Sequence, residues 1–350
     1  MKLAVGAQQV LLFLLSWTPA WLSPPPRRDI TRSWGAYSPF FSVEPYRPPP
    51  RGCLVDQVHI LERHGARFPT LGAGARIISA VDKLQSVSRY TDRRLEFLKT
   101  FEYQLGVADL VPFGALQSRK SGEVAYSRYG HLVTKDLPLF VRSSGGQRVV
   151  DSAWNWTAGF ATASRGVHTP TISVIFPENP EFNNTLDDHN CPNAGTSTAQ
   201  TTTWLSIFAP PITHRLNLAA PGAGLLDGDT YALMSLCAFH SVAAATARGS
   251  ALTLVLSPFC ELFTDEEFAD FEYAMDLDKY YGTGPGAYLG LGRVQGVGYT
   301  TELLARLTSS HTPLSSPLPG PKNEHEHQHH TRRRPAHVPA QPHALRRLLA

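Results

Sequence analysis

The chain has 350 residues, of which 42% are hydrophobic and 17% charged, with a formal net charge of +3. That is ordinary globular material, enough for one large or two modest domains and a sizeable core. The last forty residues hold Lys322 and five arginines against Glu324 and Glu326, so the rest is near neutral and gives no general case for nucleic-acid binding.

Residues 1–20 carry the parts of a secretory signal peptide: Lys2, an apolar centre over residues 10–15, and a small-residue cleavage site at Thr18-Pro19-Ala20. The apolar centre is too short to span a bilayer, and no later run is long enough, so a secreted, extracellular protein with no membrane segment is expected. Two acceptor sequences, at Asn155 and Asn183, fit N-glycosylation in that compartment. Four cysteines, Cys53, Cys191, Cys237 and Cys260, should tend to pair there, with three connectivities open. None has the close spacing of a zinc site.

Residues 21–52 are rich in Pro and Arg and read as an extended arm anchored by Trp34, Tyr37, Phe40 and Phe41. Residues 53–61 read as a buried strand that delivers Arg63-His64-Gly65-Ala66-Arg67-Phe68-Pro69 to a loop. Residues 73–105 read mostly helical, with apolar positions at Ile77, Ile78, Val81 and Leu84, then Leu95, Leu98, Phe101 and Leu105. Residues 108–129 continue in that style, broken at Pro112. The stretch from about 71 to 130 is expected to be an inserted helical subdomain.

Residues 137–141 read as a short strand closed by Arg142, and a loop over 143–146 leads into a helix near Gln147. A strand is expected over 171–176, loop over 178–200, helices over 201–208 and 231–248, and a strand over 252–256. Thr264 caps a helix whose first turn carries Asp265, Glu266 and Glu267, as the macrodipole prefers. A glycine-rich loop over 280–298 precedes a last helix over 299–307. Strands alternating with helices over 53–309 argue for an α/β fold with a central, mostly parallel sheet flanked by helices. Ligands of such sheets sit beyond the carboxyl ends of the strands, where Arg63, His64 and Arg142 would gather. Residues 310–350 hold seven of the fourteen histidines, seven prolines and no Phe, Tyr or Trp, and read as a disordered tail. Its run from His325 to His330 lacks a scaffold for a functional metal site.

The heptad at Arg63 carries the chemistry. Arginine forks match phosphate oxygens, and a neutral histidine can attack phosphorus and divide one hard displacement into two. Arg63-His64-Gly65-x-Arg67-x-Pro69 resembles the motif of the histidine acid phosphatases, in the version found in fungal (basidiomycete-like) phytases. Further segments are similar to phytase sequence: residues 33–39, 109–114, 141–145, 208–212, 257–260 and 295–299. The resemblance covers roughly residues 33–309.

The resemblance implies hydrolysis of phosphate monoesters of phytate, inositol hexakisphosphate, through a phosphohistidine on His64, at acidic pH and without a metal or other cofactor. It implies that Arg63, Arg67 and Arg142 hold the phosphate and that Tyr37, Thr70 and Lys279 line the substrate site. Many relatives have Gln before the tyrosine; here Ala36 stands there. It implies a Cys237–Cys260 disulfide, with Cys53 and Cys191 lacking their family partners, and a monomer without nucleic-acid or membrane partners. The family also uses a late His-Asp motif whose Asp protonates the leaving alkoxide, help worth roughly 10²–10⁴-fold. No His-Asp dipeptide occurs in the 350 residues. Impaired turnover is therefore expected of this chain, and a phosphate- or phytate-binding glycoprotein without activity is the alternative. The abrupt change near Ser310 also fits a shifted reading frame or a truncated form.

Overall fold

Helices carry most of the described chain. The computed structural model describes residues 29–308 except 180, 183, 187–190, 192, 249 and 250. The expected signal peptide over residues 1–20, Asn183 and the expected tail over 310–350 lie outside the described residues. In chain order the elements are α1 (Leu71–Gln85), α2 (Pro112–Tyr129), β1 (Arg142–Ser144), α3 (Gln147–Ala163), β2 (Val174–Phe176), α4 (Thr198–Ala219), α5 (Asp227–Ala243), β3 (Thr246–Arg248), β4 (Ala251–Thr253), α6 (Asp265–Gly282), α7 (Leu291–Gln295) and α8 (Val297–Thr308). None of the described helices is long and apolar enough to cross a membrane.

Two apolar clusters organise these elements. The larger gathers α1, α4, α5 and α6 around Ile77, Leu84, Leu216, Leu233, Leu236 and Phe271, with Trp34 of the N-terminal arm buried among them. The smaller is built from Ala125 on α2, Trp156 and Phe160 on α3, and Val133, Leu139 and Val141 ahead of β1. Helices α2 and α3 approach closely because each offers a glycine. A Cβ on Gly122 would lie 2.0 Å from the Trp156 carbonyl oxygen, and one on Gly159 would lie 1.9 Å from that of Arg119. β1 and β2 pair in parallel, Arg142 opposite Val174 and Ser144 opposite Phe176. This small parallel sheet against helices is the α/β character expected.

Local signals formed as read. The Thr264 hydroxyl accepts the Glu267 N–H while the Glu267 carboxylate accepts the Thr264 N–H, closing a capping box on α6. Pro112 starts α2 rather than breaking a helix, because the first helical position needs no N–H partner. Cys237 and Cys260 form a disulfide, and Cys53 and Cys191 are free thiols.

Non-local pairing departed from expectation. Residues 53–66 form no regular strand: the Cys53 N–H donates to the Pro50 carbonyl at one end, the Ala66 carbonyl accepts the Val111 N–H at the other, and no ladder joins them to a neighbour among the described residues. Apolar β-formers favour an extended path, but a strand also needs a neighbour to pair with. β1 begins at Arg142 instead of ending there. The helix expected over 231–248 stops at Ala243, and Thr246–Arg248 turns back to pair antiparallel with Ala251–Thr253. α4 runs on through Pro210 and Pro211 to Ala219.

Candidate active site

The motif loop is fastened to the start of α2. The Phe68 N–H donates to Asp109 (2.9 Å) and the Val111 N–H to the Ala66 carbonyl (3.0 Å), with a bridge between Arg67 and Leu110. Two side chains fix the backbone beside His64. Gln117 of α2 accepts the Ala66 N–H at 3.0 Å, and Ser152 of α3 accepts the Gly65 N–H at 3.1 Å. Gly65 has to be glycine: a Cβ there would sit 2.2 Å from the Gly114 carbonyl oxygen.

His64 is half-buried, and its Nδ1 lies 2.8 Å from the Gly65 carbonyl oxygen. A carbonyl only accepts, so Nδ1 carries the proton and donates, and the lone pair stays on Nε2. Burial pushes the imidazole pKa down to about 4; the Gly65 bond opposes this, and Arg63, Arg148 and Arg67 lower it further. The ring is thus neutral down to about pH 4. Beside it, burial raises the Glu62 carboxyl to about 7, against the hydrogen bond donated by Ser121. Below that pH Glu62 carries no charge to offset Arg63.

The expected residues assemble in part. Arg63 donates to the Ala36 carbonyl at 2.7 Å, and Arg67 to the Phe68 carbonyl at 2.8 Å. Tyr37 lies with them: burial raises its pKa, while Arg67, Arg63 and Arg76 pull it back. Thr70 spends its hydroxyl capping α1, accepting the Ala73 N–H at 3.4 Å. Lys279 sits exposed in the last turn of α6, paired with Asp278 at 3.2 Å; Asp278 is another charge that Tyr37 feels.

Arg142 is bonded differently from Arg63 and Arg67. It shares a small cavity with Glu62, Arg63 and Ser152, but it is buried and committed elsewhere. Its Nη2 stands 2.7 Å from the Glu302 carboxylate of α8, and its guanidinium lies over the Phe176 ring. Thr185 donates to the other Glu302 oxygen at 2.9 Å. The arginine whose charge reaches His64, Arg63 and Arg67 is Arg148, in the first turn of α3. Its Nε is buried with no hydrogen-bond partner among the described residues. The signal that could have found it is position: a helix start following a strand and loop is where phosphates are held. Arg76 was also missed, being one exposed cation on the outer face of α1.

Asn155 lies inside α3, not in the exposed loop a glycan prefers. Its amide donates to the Asp151 carbonyl at 2.8 Å, and Thr157 is buried.

His64 is thus an oriented imidazole with the charges of Arg63, Arg67 and Arg148 around it. The sequence profile of the histidine phosphatase superfamily (branch 2) matches residues 54–332, and the chain belongs to that family. It is 38% identical over 294 residues to Phytase A of Emericella nidulans, covering 81% of this chain and 62% of that protein. It is 39% identical over 322 residues to Phytase A of Neurospora crassa, covering 83% and 63%. The chain therefore spans less than two thirds of the length of these relatives. Among solved structures, the phytase from D. castellii superposes with a TM-score of 0.69 at 24% identity, over 81% of this chain and 63% of that one. A Bifidobacterium longum multiple inositol polyphosphate phosphatase in complex with inositol hexasulfate gives 0.56 at 15% identity, over 91% and 78%. These two likenesses concern the fold.

Proposed function

We propose that the chain is a secreted phosphatase of the phytase type, cleaving phosphate monoesters of inositol hexakisphosphate. The observation that carries this is the His64 tautomer: Nδ1 bonded to the Gly65 carbonyl, Nε2 free, with Arg63, Arg67 and Arg148 around it. Nε2 would attack phosphorus in line as the ester P–O bond breaks, and the leaving alkoxide would take its proton from solvent water, departing as the alcohol. Water then cleaves the phosphohistidine to inorganic phosphate and free His64. The arginines would bind the non-bridging oxygens and offset charge building on them. Phytase A relatives, and a fold neighbour solved with inositol hexasulfate, support a polyphosphorylated inositol as substrate.

The test is phosphate release from phytate with trapping of the enzyme in alkaline denaturant. The expected result is an acid-labile, base-stable phosphoenzyme in the wild type and none in His64→Ala. A second reading comes from the missing His-Asp dipeptide: the site would bind phosphate or phytate without turning it over. Tight phytate binding with no phosphoenzyme and no release would select it.

A further inference from the structure

Arg63 opens to solvent, and among the described residues its guanidinium has one hydrogen-bond partner, the Ala36 carbonyl. What orients that carbonyl decides where Arg63 points. The Ala36 N–H donates to the thioether sulfur of Met275, on α6, at 3.1 Å. Both polar backbone groups of one residue are therefore in use, one facing α6 and one facing the motif.

The turn is seated on Met275 as well as bonded to it. Gly35 has φ +55, and a Cβ there would lie 2.7 Å from the Met275 sulfur and 3.0 Å from its Cβ. The turn is held on both flanks. Trp34 before it is fully buried, and the Tyr37 ring after it lies 4.5 Å from Phe239 and 6.4 Å from Phe271. Met275 is itself only 5% exposed. The Ala36 carbonyl belongs to the Ala36–Tyr37 peptide, whose N–H donates to the Trp34 carbonyl at 3.0 Å, while the sulfur holds the preceding Gly35–Ala36 peptide, so the two bonds together set the backbone torsions of Ala36. A thioether is a weak acceptor but a shape-adapting one, so it contributes direction more than strength.

We propose that Met275 is a positioning residue of the phosphate site: its sulfur fixes the Gly35–Ala36 peptide, and with the Tyr37–Trp34 bond this sets the Ala36 torsions and so the direction of the carbonyl that holds the Arg63 guanidinium toward the phosphate. The inference rests on the phosphate-binding reading of Arg63 given above. A packing role alone would be met equally by leucine, which conserves volume but accepts no hydrogen bond.

The experiment compares wild type, Met275→Leu and Met275→Gln. Calorimetry measures inorganic phosphate binding, thermal melts measure stability, and ¹⁵N spectra follow the Arg63 side chain, assigned through Arg63→Lys. Met275→Leu should weaken phosphate binding roughly 3–10-fold with little change in Tm, the loss of about one modest hydrogen bond. Its Arg63 signal should broaden or exchange faster with solvent. Met275→Gln, which restores an acceptor, should recover both. Wild-type binding and an unchanged Arg63 signal in Met275→Leu would overturn the proposal. If the wild type binds no phosphate, the functional reading fails, while the Arg63 signal still decides the positioning claim.

Discussion

Gly65 and Gly114 meet backbone to backbone. A Cβ on the first would lie 2.2 Å from the carbonyl oxygen of the second, and a Cβ on Gly114 would lie 2.0 Å from the Ala66 carbonyl oxygen. The contact sets the motif loop against the first turn of α2, and His64 is the residue next to it. Replacing either glycine by alanine forces two backbones apart. Gly65→Ala should lower kcat/KM for phytate by 10²-fold or more, since about 1 Å of misplacement carries that cost. Steady-state kinetics on a variant shown by circular dichroism to be folded would check it.

Arg148 and Arg142 should separate cleanly. Arg148→Met should cut kcat/KM or phosphate affinity by about 10²-fold with a small effect on stability. It should also raise the His64 pKa from about 4, because a positive neighbour that lowers it is gone; imidazole NMR titration reads this. Arg142→Met should instead cost about 3 kcal/mol of stability by leaving Glu302 without its partner. Adding Glu302→Leu should return much of that loss, which urea unfolding would show.

Stability should peak in mildly acidic solution. Glu62 is held neutral up to about 7, above its ordinary 4.5. Between those values the folded chain binds the extra proton, so this contribution is present below 4.5 and lost as pH rises through 7. His64 is depressed to about 4 from 6.5, so the unfolded chain binds the extra proton there, and stability is lost as pH falls from 6.5 through 4. Each shift is worth at most about 3 kcal/mol. Glu62→Gln should remove the alkaline loss: relative to wild type it should gain stability between pH 4.5 and 8 in denaturant titrations.

The Cys237–Cys260 bond closes a loop with a sequence separation of 23. Cys237→Ala/Cys260→Ala should lower stability by about 3 kcal/mol through the larger entropy of the unfolded chain. Calorimetric Tm should fall by several degrees.

The parts legible in the sequence were those settled within a few residues. Thr264 and Glu267 announced a helix start because a capping box is made by one turn of chain. The motif histidine and its flanking arginines were legible because five fixed positions within seven residues carry them. The path of residues 53–61 was not, since pairing depends on chain far away in sequence. Nor were the different surroundings of Arg142 and Arg148. They lie six residues apart around the same loop, and only the packing of α8 shows that Glu302 claims the first. The capture of Thr70 by α1 and of Ala36 by Met275 likewise belongs to the folded chain alone.

One consequence follows from the two apolar clusters. Ile60 packs against the smaller, while Ala66 and Phe68 pack against the larger. The backbone crosses the seam between them within a few residues, and His64 stands at the crossing. Ser152 grips it from one bank, and Tyr37 and the Ala36–Arg63 link reach it from the other. Any breathing of the two cores must widen the gap that a phosphate would fill. A phosphate bound there, as proposed, would work as a clasp, and occupancy would make the molecule sturdier.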